Sequence, residues 1–121
     1  MAELTPREIV RELDIETVAV FSTADREALP VQLATRSVCI GPPRAADSYL
    51  NQDAILTAAR AAGCDAVHPG YGFLSENPEF ADRVAEAGLK YIGPSGGVIR
   101  QLGSKSAARA LAQSARPYFL V

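Results

Sequence analysis

The chain is punctuated at intervals that leave few folds open to it. Four short β-prone runs stand along its 121 residues: TVAVF at 17–21, SVCI at 37–40, DAVH at 65–68 and KYI at 90–92. Three of them stop at glycine and proline, in Gly41-Pro42-Pro43, Pro69-Gly70 and Gly93-Pro94. Such pairs end regular structure, because proline lacks a backbone donor and glycine accepts backbone angles that other residues avoid. The runs are short and apolar, so they read as buried strands.

Helical patterns fill the intervals. Thr5-Pro6-Arg7-Glu8 forms a capping box with proline at the first helical position, and Ile9, Val10 and Leu13 follow as an apolar stripe that stops near Asp14. Residues 22–29 are polar and read as a loop or a brief helix. Asp47 or Ser48 caps a long helix through Ala62, with Leu50, Ala54, Ile55, Ala58 and Ala61 on one face and Gly63 as its C-cap. Asn77 caps another helix with Pro78 in its first turn; Phe80, Val84 and Ala87 line its inner face and Gly88 ends it. A short helix is expected around 98–102, weakened at its start by Gly96-Gly97. A last helix is expected from about Ser104 to Ser114. Strands alternating with longer helices predict an α/β fold with a largely parallel sheet, in one domain over residues 1–121. In such sheets ligands sit beyond the carboxyl ends of the strands, the edge that Gly41, Gly70 and Gly93 mark.

Charge and composition narrow the function. Twelve Lys and Arg against fourteen Asp and Glu give a net charge of −2. That balance disfavours nucleic acid or an anionic membrane as the main partner, because phosphate binding needs clustered cations. No run reaches the ~20 apolar residues of a membrane span, and the N-terminus has no signal-peptide layout. Cys39 and Cys64 lack any metal-ligand spacing and read as small apolar side chains in a reduced, cytoplasmic protein.

The most informative segment is HPGYGFLSEN at 68–77, which leads from a strand end to a helix cap. Its two glycines flank Tyr71, so the backbone can turn tightly and expose amides beside an aromatic ring. Glu76 adds an ionisable group. A tight strand–helix connection needs such residues in any case, and His68 reads as a hydrogen-bonded loop residue. Two nucleotide motifs match partly and fail. Gly70-x-Gly72-x-x-Ser75 has serine where a dinucleotide fingerprint has a third small residue, and Ser104 interrupts the phosphate-loop pattern in Gly103-Ser104-Lys105-Ser106. Lys105 can still meet a phosphate near a helix N-terminus. No nucleophile-and-base pattern is present, and no catalytic residue or metal site is assigned.

The run from Thr17 to Ser106 resembles the N-terminal domain of biotin carboxylase, the ATP-dependent component of acetyl-CoA, propionyl-CoA, methylcrotonyl-CoA and pyruvate carboxylases. The resemblance is carried by TVAVFSTADREAL at 17–29, VCIGPP at 38–43, SYLN at 48–51, HPGYGFLSEN at 68–77 and YIGPS at 91–95. It implies a Rossmann-like parallel sheet with flanking helices, placed before an ATP-grasp unit. It implies a reaction in which ATP and bicarbonate form carboxyphosphate, which carboxylates protein-bound biotin with Mg²⁺ assisting. Tyr71 and Gly72 match positions that approach biotin or bicarbonate, Glu76 an acidic residue near that pocket, and Lys105 a lysine that contacts ATP. The implied partners are the remainder of the biotin carboxylase, the biotin carboxyl carrier and the carboxyltransferase; such carboxylases commonly form homodimers.

The departures from the family pattern set further expectations. The sequence begins within the family's first helix, so the opening strand and its glycine loop are missing, and the strands are expected to remain as two pairs with unpaired edges. Pro30 stands where the family usually has histidine, and Ser104 replaces an aspartate beside the ATP lysine. The ATP-grasp part lies beyond the sequence. The chain is therefore expected to be inactive alone and to bind ATP, biotin and Mg²⁺ only weakly, with the run Tyr118-Phe119-Leu120-Val121 a candidate to fill the sheet. A different reading keeps the same fold as a non-catalytic α/β module that binds a carboxylase subunit, and a third has the chain bind nucleotide by itself.

Overall fold

A computed structural model describes residues 12–103. The capping box at 5–8, the helix expected from Ser104, Lys105 and the run at 118–121 lie outside the described residues. The chain divides into two compact units, Met1–Cys64 and Asp65–Val121.

In the first unit, β1 (Val18–Ser22) pairs in parallel with β2 (Arg36–Gly41), with Val18 opposite Arg36 and Val20 opposite Val38. The pair is locked at its start by a reciprocal exchange. Thr17 N–H donates to Thr35 Oγ1 at 3.0 Å, Thr35 N–H donates to Thr17 Oγ1 at 3.1 Å, and Arg36 N–H donates to the Thr17 carbonyl at 3.0 Å. Parallel strands need a long crossover. Here it contains a 3-10 turn (Thr23–Asp25) and a short helix, α1 (Leu29–Leu33), with Pro30 in its first turn. Five residues are too few for a helical period to emerge in the sequence, so α1 is visible only in the structure.

The helix α2 (Gln52–Ala61) buries Leu56, Ala58 and Ala59 and packs on β1 and β2. Its cap is Asn51, whose Oδ1 accepts from Ala54 N–H at 3.1 Å, and not Asp47 or Ser48. Asp47 closes a 3-10 turn (Ala45–Asp47), and the buried Ser48 hydroxyl donates to the Arg44 carbonyl at 2.9 Å. Both residues are thereby committed to a turn before the helix, and Leu50 stays 44% exposed. Gly63 ends the helix at φ +70, as expected, and Arg36 donates to the Ala62 carbonyl at 2.8 Å. A cation there satisfies an orphan carbonyl at the negative end of the helix. Cys39 is exposed, contrary to the buried reading of its strand, and Cys64 is half-buried; both are free thiols.

The second unit repeats the parallel theme. Here β3 (Ala66–Val67) pairs with β4 (Lys90–Tyr91), extended by bonds from Lys90 N–H to the Asp65 carbonyl and from Ile92 N–H to the Val67 carbonyl. Among the described residues the strands thus stand as two parallel pairs, the arrangement expected above. The helix α3 (Pro78–Glu86) starts where the sequence places it, with Asn77 Oδ1 accepting from Phe80 N–H at 3.1 Å. Phe80 and Val84 are fully buried, each contributing about 1.5–3 kcal/mol relative to exposure. Gly88 follows at φ +79.

The last described helix, α4 (Gly96–Gly103), is longer than its glycine pair predicts. Gly96 is buried against α3, where an added Cβ would lie 2.1 Å from Asp82 Oδ1 and 2.8 Å from the Pro78 carbonyl oxygen. The missing side chain is what lets the helices meet. Arg100 then reaches Asp82 at 2.7 Å across the contact. Gly97 faces open space, with nothing nearer its Cβ position than Ser95 Oγ at 3.9 Å. Adjacent glycines therefore respond to alanine with opposite signs. In thermal melts, Gly96→Ala lowers stability by about 1–3 kcal/mol through overpacking, whereas Gly97→Ala raises it by about 0.4–1 kcal/mol by restricting the unfolded chain.

Candidate functional site

The loop at 68–77 connects β3 to α3 and holds three of the four expected site residues. Its backbone is unusual. Gly70 and Gly72 have φ +71 and +78, and Phe73 has φ +44. Left-handed angles are natural for glycine, but for phenylalanine they mark local strain. The loop is tied down at both ends. His68 Nδ1 accepts from Gly70 N–H at 3.0 Å; Ser75 N–H donates to the Gly72 carbonyl and Asn77 N–H to the Leu74 carbonyl. Leu74 is 5% exposed and anchors the loop in the core.

Tyr71 is fully exposed, with glycine on either side. It offers an apolar ring face and a hydroxyl, the combination that recognises a ligand with one apolar and one polar part. Gly72 leaves its own amide open to close approach. Glu76 is exposed and supplies acceptor oxygens. The three share one loop and make no hydrogen bond to one another among the described residues. Lys105 lies outside the described residues.

Beneath the loop, Tyr91 of β4 packs edge-on against Phe80, with ring centroids 6.2 Å apart, and its hydroxyl points to the Ser75 carbonyl at 3.4 Å. Burial pushes the Tyr91 phenol above its ordinary range. Its neutral form is thus favoured by folding. The linked stability is present below about pH 10 and is lost as pH rises through the raised value. Denaturant titrations above pH 10 are expected to show a decline that Tyr91→Phe makes shallower.

Sequence reasoning missed a polar cluster in the first unit. Ser22, the last residue of β1 and 1% exposed, donates its N–H to Tyr49 Oη at 2.9 Å and its Oγ–H to Asp25 Oδ2 at 3.2 Å; the Tyr49 hydroxyl also donates to Asp25. The only signal was a serine and an aspartate just after a buried strand, and no local pattern leads from them to Tyr49. Tyr49→Phe leaves the buried Ser22 N–H without its acceptor and is expected to lower stability by about 1–3 kcal/mol, measurable by urea unfolding. Among the described residues, no group of three or more His, Cys, Asp and Glu side chains is placed to hold a metal ion, and no helix is long and apolar enough to cross a membrane.

Parallel strand pairs flanked by helices, with a glycine-rich loop after a strand, place the chain among α/β proteins. Comparison with known proteins makes the class specific. Residues 6–99 match the family described as biotin carboxylase, N-terminal domain. The chain is 53% identical over 108 residues to the biotin carboxylase of Haemophilus influenzae, covering 88% of this chain and 24% of that protein. It is 48% identical over 105 residues to the propionyl-CoA carboxylase alpha chain of Ruegeria pomeroyi, covering 87% of this chain and 15% of that one. Among solved structures, the Campylobacter jejuni biotin carboxylase in complex with β-γ-ATP superposes with a TM-score of 0.82 at 41% identity, over 89% of this chain and 24% of that chain. This chain belongs to the biotin carboxylase N-terminal domain family. It spans about a quarter of the length of the biotin carboxylases it matches.

Proposed function

We propose that the chain serves as the N-terminal part of an ATP-dependent biotin carboxylase, within an acyl-CoA or pyruvate carboxylase. The observation that carries this reading is the loop at 68–77: a fully exposed Tyr71 on a turn of left-handed residues, anchored by buried Leu74. A side chain held out in this way, on a backbone that is constrained around it, is suited to contact a ligand presented by another part of the enzyme.

In this reading the Tyr71 ring and the Gly72 backbone approach biotin or bicarbonate, and the Glu76 carboxylate shapes the polar side of the same pocket. Lys105 contacts ATP. When bound, ATP supplies the phosphoryl group that activates bicarbonate. The described residues do not fit a Mg²⁺ site, since they include no cluster of carboxylates placed for one, and no step at this loop runs through the metal. Phosphoryl transfer depends on positioned cations and on stabilisation of spreading negative charge. Tyr71, Gly72 and Glu76 supply neither, so their contribution is to orient biotin and exclude water, and the charge-stabilising groups come from the remainder of the enzyme. The carrier that bears biotin and the carboxyltransferase that consumes its carboxyl group are the further partners. ATP, biotin and Mg²⁺ bind weakly to this chain alone.

Reassembly tests this. The purified chain is mixed with the separately expressed remainder of a biotin carboxylase, and biotin-dependent ATP cleavage is assayed. Activity is expected in the mixture and in neither part alone. Tyr71→Ala and Glu76→Gln are expected to lower kcat/KM in the mixture by roughly tenfold, equivalent to one lost contact of about 1.4 kcal/mol, while the melting temperature of the chain stays the same. A folded chain that restores no activity would overturn the reading, as would full activity with Tyr71→Ala.

A further inference from the structure

The turn that carries Tyr71 is closed by an imidazole. Gly70 N–H donates to His68 Nδ1 at 3.0 Å. A backbone N–H can only donate, so Nδ1 must hold a free lone pair. The contact therefore requires neutral His68 with its ring hydrogen on Nε2. Pro69, between the two residues, has no N–H of its own and a fixed φ, so the Gly70 amide is the donor that meets the ring. Immediately beyond it come the left-handed angles of Gly70, Gly72 and Phe73. Local preference alone does not hold such a run, least of all at phenylalanine. Leu74 secures its far end in the core, and His68 secures its near end.

We infer that His68 is the positioning residue that sets the Tyr71 turn, through the lone pair that its Nδ1 offers the Gly70 amide. Without that acceptor the Gly70 N–H turns to water. Other titratable groups share these surroundings: Tyr71 and Glu76 on the loop, and Lys90 and Tyr91 on β4, the strand paired with β3. None of them is hydrogen-bonded or ion-paired to His68 among the described residues. The contact therefore belongs to the ring and the amide it accepts from. What the turn is for rests on the reading of this loop as the biotin-facing one; the hydrogen bond does not.

The test is NMR on the chain, comparing the wild type with His68→Asn and His68→Ala. Asparagine keeps an oxygen that accepts from the amide two residues on, and alanine does not. At pH 8 the wild-type ring is expected to carry its hydrogen on Nε2. The Gly70 amide is then protected from exchange, relative to an unstructured chain, in both the wild type and His68→Asn. In His68→Ala that protection falls roughly fivefold, the factor that one hydrogen bond of ordinary net strength supports. A ring hydrogen on Nδ1 at pH 8 overturns the inference. So does His68→Ala keeping the wild-type protection, or His68→Asn behaving as His68→Ala. These readouts need no catalysis, whereas the function of the loop is tested by reassembly, so failure of one is told apart from failure of the other.

Discussion

Parallel strands cannot be joined by a tight turn, and the structure follows from that restriction. Each partner must be reached by a crossover that leaves the carboxyl end of one strand and returns to the start of the next. Between β1 and β2 the crossover contains a 3-10 turn and α1; between β3 and β4 it contains the loop at 68–77 and α3. The helical parts cover the strands: α2 buries Leu56, Ala58 and Ala59, and α3 buries Phe80, Ala81 and Val84. The non-helical parts collect just past the strands. There the backbone is released from the ladder before the next helix begins, and there the chain places its polar cluster around Ser22 and its exposed Tyr71. Topology thus selects where chemistry-bearing residues stand within each unit, before their identities matter.

Glycine performs two separate tasks in this setting. At Gly70 and Gly72 it supplies backbone angles, and a Cβ there would meet no neighbour within 4 Å. At Gly96 it supplies space between α3 and α4 on ordinary helical backbone. Gly41 does both, with φ +150 and the Asp47 carbonyl oxygen 2.3 Å from where a Cβ would stand. Composition counts these residues alike, yet the first kind shapes a surface and the second kind permits packing.

Much of the fold was readable from the residues, and the misreadings have a common cause. The four strands, the Asn77 cap with Pro78 and the helix-ending Gly63 and Gly88 depend on signals within a few positions of each other, and they stand where expected. The start of α2 was misplaced because Ser48 can cap a helix or close a turn, and its bond to the Arg44 carbonyl decides between them. The extent of α4 was misjudged because the reason for Gly96 lies on another helix. Exposed Cys39 shows the same limit: the run SVCI reads as buried, but which side of a strand meets a helix is set by packing. At the candidate site the loop and Tyr71 were legible as a motif. The acceptor role of His68 and the cluster of Ser22, Asp25 and Tyr49 were not, since each requires atoms brought together by folding.

The reciprocal threonines at the start of the first strand pair bear on how that pair is chosen during folding. Each of Thr17 and Thr35 gives its hydroxyl oxygen to the other's N–H. A slip of one residue breaks both bonds together and also turns the alternate side chains of β2 over, taking Ile40 out of its buried position. Apolar strands as similar as VAVFS and RSVCIG would otherwise tolerate neighbouring alignments with little penalty. The two hydroxyls work as a keyed fit: they add modestly to the depth of the native minimum, but they separate it from its nearest competitors.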